Sequence, residues 1–428
     1  QAAGDSTTPP SKESLHTVSY MWERQRCGIW CCVRRGKLRV VAFVNREYTN
    51  LWGESCVFVA ADGTTEIGRE EFHEQYFEET GKPFSKRMLP AKHWWTNGST
   101  LCETESPGGW SLGQFHIILP MLSEACSTLA DTEFLFNRRD GPVLRDASKN
   151  DADNIKIPVI GFYEKKSVDD ELPATREYAI PNYEDWATRE SKGCRDPVTS
   201  RMQQAFFRGS TTGPGVSIRD NARLLLSHLG RCRESTILDA APTRFNQRLR
   251  IFRTRDSDGR LRTSITFQRP STFSHIHPVA TVPFSKWSRW AITIYARGHA
   301  GATRFLRQLA LGGVLIDFDP LDCIPADKQP PLPEVWASNA VAATALSHTE
   351  LLALPAKFTD PHTIVRKHGW THVHVTEGNQ LYAIIELLLK CPRLAQELAS
   401  NGRVAAVGLL GDLVTSTRRV IAQACSLT

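Results

Sequence analysis

The segment from residue 290 to residue 318 predicts a complete strand–helix–strand unit. An apolar run at 291–295 is followed by a turn of small residues, and a helical pattern at 305–311 ends in Gly312-Gly313. A second apolar run at 314–318 follows at once. Strands that are joined through a helix lie parallel in one sheet, so this segment predicts an α/β fold.

The turn of this unit and a segment further upstream both carry residues that suit an anion. The turn consists of Arg297, Gly298, His299, Ala300, Gly301, Ala302, Thr303 and Arg304. Upstream, the apolar run 205–207 ends in Arg208-Gly209-Ser210, and Thr212, Gly213 and Arg219 follow. Backbone amides, small hydroxyls and guanidinium groups are the donors that a diphosphate requires. The alternative interpretation is a polar turn in which one arginine pairs with a carboxylate.

Several function classes are disfavoured by pattern and charge. Neither segment has the dinucleotide fingerprint or the P-loop lysine, which argues against a nicotinamide enzyme and a P-loop ATPase. The 428 residues carry a net charge of +6 with scattered basic residues, which argues against a nucleic-acid partner. The sequence has no apolar run of membrane-spanning length, and its polar start lacks a signal core. We therefore expect no integral membrane span, and a signal or anchor that has been removed.

Four blocks of sequence, taken in order, resemble one enzyme family. They are residues 129–142, which end in Asp140-Gly141-Pro142; Phe206-Phe207-Arg208-Gly209-Ser210 with Arg219-Asp220; residues 297–305; and residues 375–401. The set is similar to glycosyltransferase family 90, which includes the Rumi-type protein O-glucosyltransferases and the fungal capsule-associated xylosyltransferases. The chain departs from this family in a longer loop at 210–219 and in a Pro- and Ala-rich insertion at 322–355.

The resemblance implies a GT-B fold, in which two Rossmann-like domains face a cleft and C-terminal helices pack back on the first domain. We expect a disordered segment at 1–16, an acceptor-side domain at 17–195, a nucleotide-sugar-binding domain at 196–385 and C-terminal helices at 386–428. Two apolar runs near the start, 38–44 and 56–60, predict strands of a hairpin or a sheet edge.

The resemblance also implies roles for individual residues. Asp140 occupies the position of the family's catalytic aspartate, just after a predicted strand at 133–137. It would accept the proton of the acceptor hydroxyl, and the alternative is an aspartate that caps the turn at Gly141-Pro142. Donor-binding residues are expected at Arg208, Ser210, Thr212, Gly213, Arg219, His299, Ala300, Gly301, Ala302, Thr303 and Arg304. For the acceptor we expect Tyr183 and Trp186, with core packing as the alternative.

The implied reaction transfers glucose or xylose from a UDP-sugar to a hydroxyl of a protein or glycan, with inversion at the anomeric carbon. No metal cofactor is expected, because arginines would neutralise the diphosphate. The family also implies a location in the lumen of the endoplasmic reticulum or Golgi, or secretion. In that compartment several of the eleven cysteines would be paired. The alternative from another class is a catalytically silent module that binds a nucleotide-sugar or a glycan.

Four further patterns approach metal-ligand spacing. Asp317-Phe318-Asp319 resembles the Asp-x-Asp metal motif of the other main glycosyltransferase fold, but it follows a strand of the predicted strand–helix–strand unit. His275-Ile276-His277 and His372-Val373-His374 each place two histidines on one face of a predicted strand without a third ligand nearby. The cysteines at 27–32 lack a second ligand pair, which favours structural thiols or disulfides.

Overall fold

The computed structural model describes residues 11–24, 27–45, 56–59, 65–81, 94–97, 100–102, 110–137, 154–162, 177–187, 194–213, 215–232, 236–255, 261–298, 304–320, 371–375 and 378–426. The chain divides into two compact units. Unit 1 consists of Gln1–Leu51, Arg87–Glu190 and Leu410–Thr428, and unit 2 consists of Trp52–Lys86 and Ser191–Leu409. Neither unit is one continuous stretch of chain, unlike the domains expected from the sequence.

The strands are β1 (Cys27–Arg34), β2 (Lys37–Asn45), β3 (Cys56–Val59), β4 (Glu66–Ile67), β5 (Trp94–Asn97), β6 (Thr100–Cys102), β7 (Thr132–Asn137), β8 (Val159–Gly161), β9 (Glu177–Ala179), β10 (Met202–Ser210), β11 (Leu238–Arg244), β12 (Arg250–Arg255), β13 (Leu261–Thr266), β14 (Trp290–Ala296), β15 (Val314–Phe318) and β16 (Val373–Val375). The helices are α1 (Lys12–Arg24), α2 (Arg69–Thr80), α3 (Trp110–Cys126), α4 (Tyr183–Ala187), α5 (Ala222–Cys232), α6 (Phe305–Ala310), α7 (Leu381–Lys390), α8 (Pro392–Gly411) and α9 (Leu413–Ser426).

Helix α1 begins inside the segment 1–16 that the sequence predicts to be disordered. The Oγ of Ser11 accepts a hydrogen bond from the backbone N–H of Ser14 at 3.1 Å, which caps the first turn. Thr17 and Met21 are fully buried in unit 1. Tertiary contacts therefore order residues from Lys12 onward despite their polar composition, while residues 1–10 lie outside the described part of the chain.

Unit 1 contains a seven-stranded sheet in the order β6-β5-β2-β1-β7-β8-β9. β1 and β2 form an antiparallel hairpin whose turn has positive φ angles at Arg35 (51°) and Gly36 (71°), as in a type I′ turn. From β7 to β9 the strands run parallel. The strands predicted at 38–44 and 56–60 are present as β2 and β3. They do not form a hairpin and neither lies at the edge of its described sheet, because β2 pairs with β1 and β5, whereas β3 pairs with β13 and β4.

The last helix, α9, packs against α3 within unit 1. The Nε of Arg418 donates a hydrogen bond to the backbone oxygen of Ala125 at 3.1 Å, and Ile421 and Ala424 are fully buried. In contrast, α7 and the first turns of α8 contribute apolar side chains to the core of unit 2. The described contacts of α9, one of the predicted C-terminal helices, thus lie in the first unit.

Unit 2 is built on a five-stranded, entirely parallel sheet in the order β11-β10-β14-β15-β16. The chain passes from β10 through α5 to β11, and from β14 through α6 to β15. Every residue of β14 and β15 is buried, as expected for parallel strands that are covered on both faces. The predicted strand–helix–strand unit at 290–318 is confirmed.

The two faces of this sheet pack against different elements. Alternate residues of the central strands, such as Phe207, Ile294 and Ile316, share one core with α5 and α7. On the other face, the Phe206 ring stacks on the Trp290 ring with centroids 3.7 Å apart. The described residues thus form a mixed α/β structure with parallel strands in both units, and the predicted α/β class is confirmed.

A smaller sheet of unit 2 has the order β12-β13-β3-β4. β12 and β13 form an antiparallel hairpin, and β3 pairs in parallel with β13. Helix α2 packs on this sheet through Phe72, whose ring centroid lies 4.9 Å from that of Phe58 and 5.5 Å from that of Phe267. β12 and β13 therefore lie outside the parallel sheet.

Candidate functional site

The carboxyl edge of the parallel sheet in unit 2 gathers the segments predicted to bind a diphosphate. The strands end at Ser210 in β10, Ala296 in β14 and Phe318 in β15, and the chain continues with Thr211-Thr212-Gly213, Arg297-Gly298 and Asp319 respectively. Strand ends of open parallel sheets share one edge, which is where such sheets bind ligands.

Arg304 connects the two predicted segments. It is the residue before α6, and its Nη1 donates a hydrogen bond to the backbone oxygen of Arg208 at 3.0 Å. Its guanidinium carbon lies 5.0 Å from the ring centroid of Trp287 and 5.6 Å from that of Phe207. The backbone bond and the two aromatic faces determine where this positive charge lies.

Arg208 itself is paired with a carboxylate. Its Nη2 lies 2.6 Å from Oδ1 of Asp239 on β11, and its Nη1 donates to the backbone oxygen of Asp239 at 3.0 Å. Its charge is therefore balanced within unit 2, as in the alternative interpretation of this turn. The charge of Arg208, one of the predicted donor-binding residues, is therefore already neutralised by Asp239. Its backbone oxygen accepts the hydrogen bond from Arg304.

The loop that follows β10 is held by buried polar side chains. Thr211 and Gln268 are fully buried and exchange two hydrogen bonds: Thr211 Oγ1 donates to Gln268 Oε1, and Gln268 Nε2 donates to the Thr211 backbone oxygen. Asn221 Nδ2 donates to the backbone oxygens of Thr211 and Gly215 at 3.2 and 3.0 Å. These buried groups satisfy one another and so hold the described residues of the loop in place.

Gly213 occupies a position in this loop where a side chain does not fit. A Cβ built on Gly213 would lie 2.7 Å from Nδ2 of Asn221. The backbone oxygen of Gly213 accepts a hydrogen bond from Nε of the buried Arg250 at 2.8 Å. Glycine at position 213 therefore has a steric basis in the packing of this loop, and its predicted role in donor binding stays a prediction.

Arg223, in the first turn of α5, is a further positively charged residue at this edge, and the sequence interpretation missed it. It is 8% exposed, its Nε donates to the backbone oxygen of Ala296 at 3.0 Å, and its Nη1 donates to the backbone oxygen of Ser210 and to Thr212 Oγ1. Within the described residues none of these partners is a carboxylate. Burial, followed by the charge of Arg304, lowers the pKa of Arg223 from 12.5 to about 9, so the guanidinium stays charged at neutral pH.

The sequence did contain a signal for Arg223. It interrupts an otherwise apolar helical pattern, Ala222-Arg-Leu-Leu-Leu, whose remaining residues are buried. A charged residue on the buried side of a helix requires a partner, and the N-terminal turn of α5 directs it to the strand ends. Arg219, which the sequence singled out instead, has an exposed side chain on the turn before α5.

The residues weighed as metal ligands have other partners. Asp319 lies 3.1 Å from Nε of Arg297, so the second carboxylate of the Asp-x-Asp motif forms an ion pair. Asp317 is fully buried on β15, with its Oδ2 3.4 Å from Nδ1 of His374 on β16. His372 lies 3.0 Å from the hydroxyl of Thr371. In the part of the chain that the structure describes, no group of three or more His, Cys, Asp or Glu residues is placed to hold a metal ion.

His275 is not on a strand, contrary to the expectation for the pair at 275 and 277. The segment follows a short 3-10 turn at Pro270–Phe273, and both histidines are exposed. The Nε2 of His275 lies 2.7 Å from Nδ1 of the buried His228 on α5, so the two imidazoles share a hydrogen bond.

Four cysteines among the described residues are free thiols: Cys31, Cys126, Cys194 and Cys391. Cys31 and Cys126 are fully buried in unit 1. Burial raises the pKa of Cys126 from 9.0 to about 12, with a smaller contribution from Cys425. These two residues are structural thiols, as the sequence favoured for the cysteines at 27–32.

Several predicted site residues fall outside the described residues: Asp140, His299, Ala300, Gly301, Ala302 and Thr303. Of the two residues predicted for the acceptor, Tyr183 opens α4, and the placement of its side chain is likewise not described. Trp186 is 4% exposed within unit 1, which corresponds to the core-packing alternative. No described helix combines the length and the apolar composition needed to cross a bilayer.

No family model matches the chain. The chain is 25% identical over 331 residues, 70% of its length, to uncharacterized protein 035R of Invertebrate iridescent virus 3. It is 26% identical over 279 residues, 55% of its length, to uncharacterized protein 027R of Frog virus 3. It covers 29% and 27% of these two proteins, and so spans under a third of the length of the curated relatives it matches.

Proposed function

We propose that the chain is an inverting glycosyltransferase that moves glucose or xylose from a UDP-sugar to a hydroxyl of a protein or glycan acceptor. The observation that carries the proposal is the 3.0 Å hydrogen bond from Arg304 Nη1 to the backbone oxygen of Arg208. It joins, at the carboxyl edge of a parallel sheet, the two segments that resemble the donor-binding blocks of glycosyltransferase family 90. The proposal includes the GT-B arrangement and the secretory-pathway location of that family.

The chemistry follows from the charges of the reacting groups. In-line displacement at the anomeric carbon releases UDP, and the departing diphosphate gains negative charge in the transition state. The guanidinium groups of Arg304 and Arg219 would stabilise this charge, and Ser210 and Thr212 would add hydroxyl donors. The arginines supply positive charge that does not depend on a bound metal ion.

Asp140 is the proposed base. The acceptor hydroxyl becomes acidic only as the glycosidic bond forms, so a carboxylate of ordinary basicity accepts its proton late in the reaction. In this proposal Asp140 accepts the proton of the acceptor hydroxyl, and the arginines stabilise the negative charge on the departing diphosphate. The acid–base and leaving-group functions therefore lie on separate residues.

The experiment that tests the proposal is a UDP-release assay. Purified protein is incubated with UDP-glucose or UDP-xylose, with and without peptide, folded-domain and oligosaccharide acceptors, in buffer with EDTA or with manganese. We expect acceptor-dependent UDP release that survives EDTA. If UDP-sugars bind but no acceptor accelerates UDP release, the silent binding module is the correct alternative. Activity that EDTA abolishes and manganese restores would contradict the metal-independent mechanism.

A further inference from the structure

Arg223 is a buried cation whose charge is not balanced by a carboxylate among the described residues. Its hydrogen bonds go to two backbone oxygens, of Ala296 and Ser210, and to the Thr212 hydroxyl. Neutral oxygens satisfy the donors but leave the net charge of the guanidinium uncompensated. A buried positive charge in this state favours an anion beside it.

One nitrogen of the Arg223 guanidinium, Nη2, lies beside Thr212 and Gly298. A Cβ built on Gly298 would lie 2.8 Å from Thr212 Oγ1 and 3.4 Å from Arg223 Nη2. Glycine at this position therefore lets the backbone pass close to the hydroxyl and the guanidinium, where the side chain of any other residue would crowd both groups. The Nη2 atom, unlike Nε and Nη1, donates no hydrogen bond to the described residues.

A second positive charge lies close enough to act on the same anion. The charge of Arg304 contributes to the lowered pKa of Arg223, and the Arg304 guanidinium lies within van der Waals reach of Gly209, since a Cβ there would lie 3.2 Å from its Nη2. Gly209 directly precedes Ser210, whose backbone oxygen binds Arg223. Two arginines from α5 and from the turn before α6 thus approach the end of β10 from separate elements.

We infer that Arg223, Thr212 and Gly298 form an oxyanion-binding subsite that takes a phosphate group of a nucleoside diphosphate. The inference rests on the proposed function for the identity of the ligand, but its geometry requires only a phosphate. Arg223 Nη2 and the Thr212 hydroxyl are the donors, and glycine at position 298 keeps a side chain away from both. Arg223 is then a donor-binding residue in addition to Arg304 and Arg219.

The competing explanation is that Arg223 only braces the loop after β10 against β14. Arg201 offers a matched control, because it is 7% exposed and also donates to backbone oxygens, of Leu311 at 3.1 Å and Asp196 at 2.9 Å. It precedes β10 and so lies at the amino end of the sheet, away from the subsite. A lysine at position 201 tests what the loss of a buried bracing arginine does by itself.

The test is isothermal titration calorimetry of the full chain with inorganic pyrophosphate, UDP and uridine. The variants are Arg223→Gln, Gly298→Ala and Arg201→Lys, each checked for folding by its melting temperature. We expect Arg223→Gln to weaken pyrophosphate and UDP binding by about 10- to 100-fold, the range for a lost charge-assisted hydrogen bond. Gly298→Ala should weaken both while Arg223 remains, and Arg201→Lys should leave both unchanged.

Each other outcome has a defined meaning. Pyrophosphate binding that is unchanged in Arg223→Gln, or equally weakened in Arg201→Lys, overturns the subsite, as does a wild-type chain that binds neither pyrophosphate nor UDP. If Arg223→Gln does not fold, unchanged affinity in Gly298→Ala overturns it. If pyrophosphate binding depends on Arg223 but no UDP-sugar is bound or turned over, the subsite stands and the glycosyltransferase proposal fails.

Discussion

Thr211 and Gln268 are joined by two hydrogen bonds in opposite directions, at 2.5 Å from Thr211 Oγ1 to Gln268 Oε1 and at 2.7 Å from Gln268 Nε2 to the Thr211 backbone oxygen. Both residues are fully buried, so water does not compete for these groups. The pair ties the loop after β10 to the segment after β13. It helps to fix the position of the described residues of that loop.

Removing this pair should destabilise the protein. Gln268→Leu leaves the Thr211 hydroxyl buried without its acceptor, and we expect a loss of about 1–3 kcal/mol in the free energy of unfolding. Urea denaturation measures the change. The control is Gln203→Leu, since Gln203 is exposed and water can replace its bonds. Equal losses in the two variants would contradict the special role of the buried pair.

The buried thiol of Cys126 should make stability depend on pH in the alkaline range. Its pKa is raised to about 12 in the folded state from 9.0, so the folded chain keeps a proton that the unfolded chain loses. The stabilisation is complete below pH 9 and is lost as the pH rises toward 12, at up to about 1.4 kcal/mol per pH unit. Urea denaturation of wild type and Cys126→Ala between pH 8 and 11 tests this, and we expect a shallower decline in the variant. Parallel declines would contradict the assignment.

Arg304 should contribute to UDP affinity through its guanidinium geometry. Arg304→Lys keeps the charge but loses the planar fork, the backbone bond to Arg208 and the contacts with Trp287 and Phe207. We expect UDP binding to weaken by about 10-fold or more, as measured by calorimetry. Arg219→Lys is the companion variant, because Arg219 is exposed and loses no described contact. Unchanged UDP affinity in both variants would remove the predicted arginine clamp.

Asp140 should affect turnover and not donor affinity. Asp140→Asn keeps the shape of the side chain and removes its basicity, so we expect UDP release in the presence of acceptor to fall by about two to four orders of magnitude. UDP-sugar affinity, measured on the same preparation, should stay near that of wild type. Turnover within a few-fold of wild type would make Asp140 a turn residue.

The parts of the fold that were predicted from sequence are those determined by local pattern. β14, α6 and β15 follow from apolar runs, a small-residue turn and Gly312-Gly313, and the structure has all three within one or two residues of the predicted bounds. A continuous apolar run indicates a strand that is buried on both faces, because such a strand must be apolar throughout.

The parts that were missed depend on contacts between distant residues. β3 pairs with β13 across a long sequence separation, and nothing in 56–60 identifies that partner. Likewise, the bonds of Arg223 to Ala296 and Ser210 depend on which strands surround α5, and the sequence around Arg223 does not identify those strands. Arg219, which is exposed, was predicted instead because it belongs to the block that resembles glycosyltransferase family 90.

The most direct test of the central claim, that unit 2 binds a UDP-sugar, is the stability of the chain in the presence of that ligand. Urea denaturation is measured with UDP-glucose, UDP-xylose and, as a control, uridine, on wild type and Arg304→Lys. A UDP-sugar at a hundred times its dissociation constant should raise the free energy of unfolding of wild type by about 2.7 kcal/mol. The shift should be smaller in Arg304→Lys at the same concentration. If no UDP-sugar shifts the transition of wild type at millimolar concentration, the chain does not bind this donor and the proposed function is wrong.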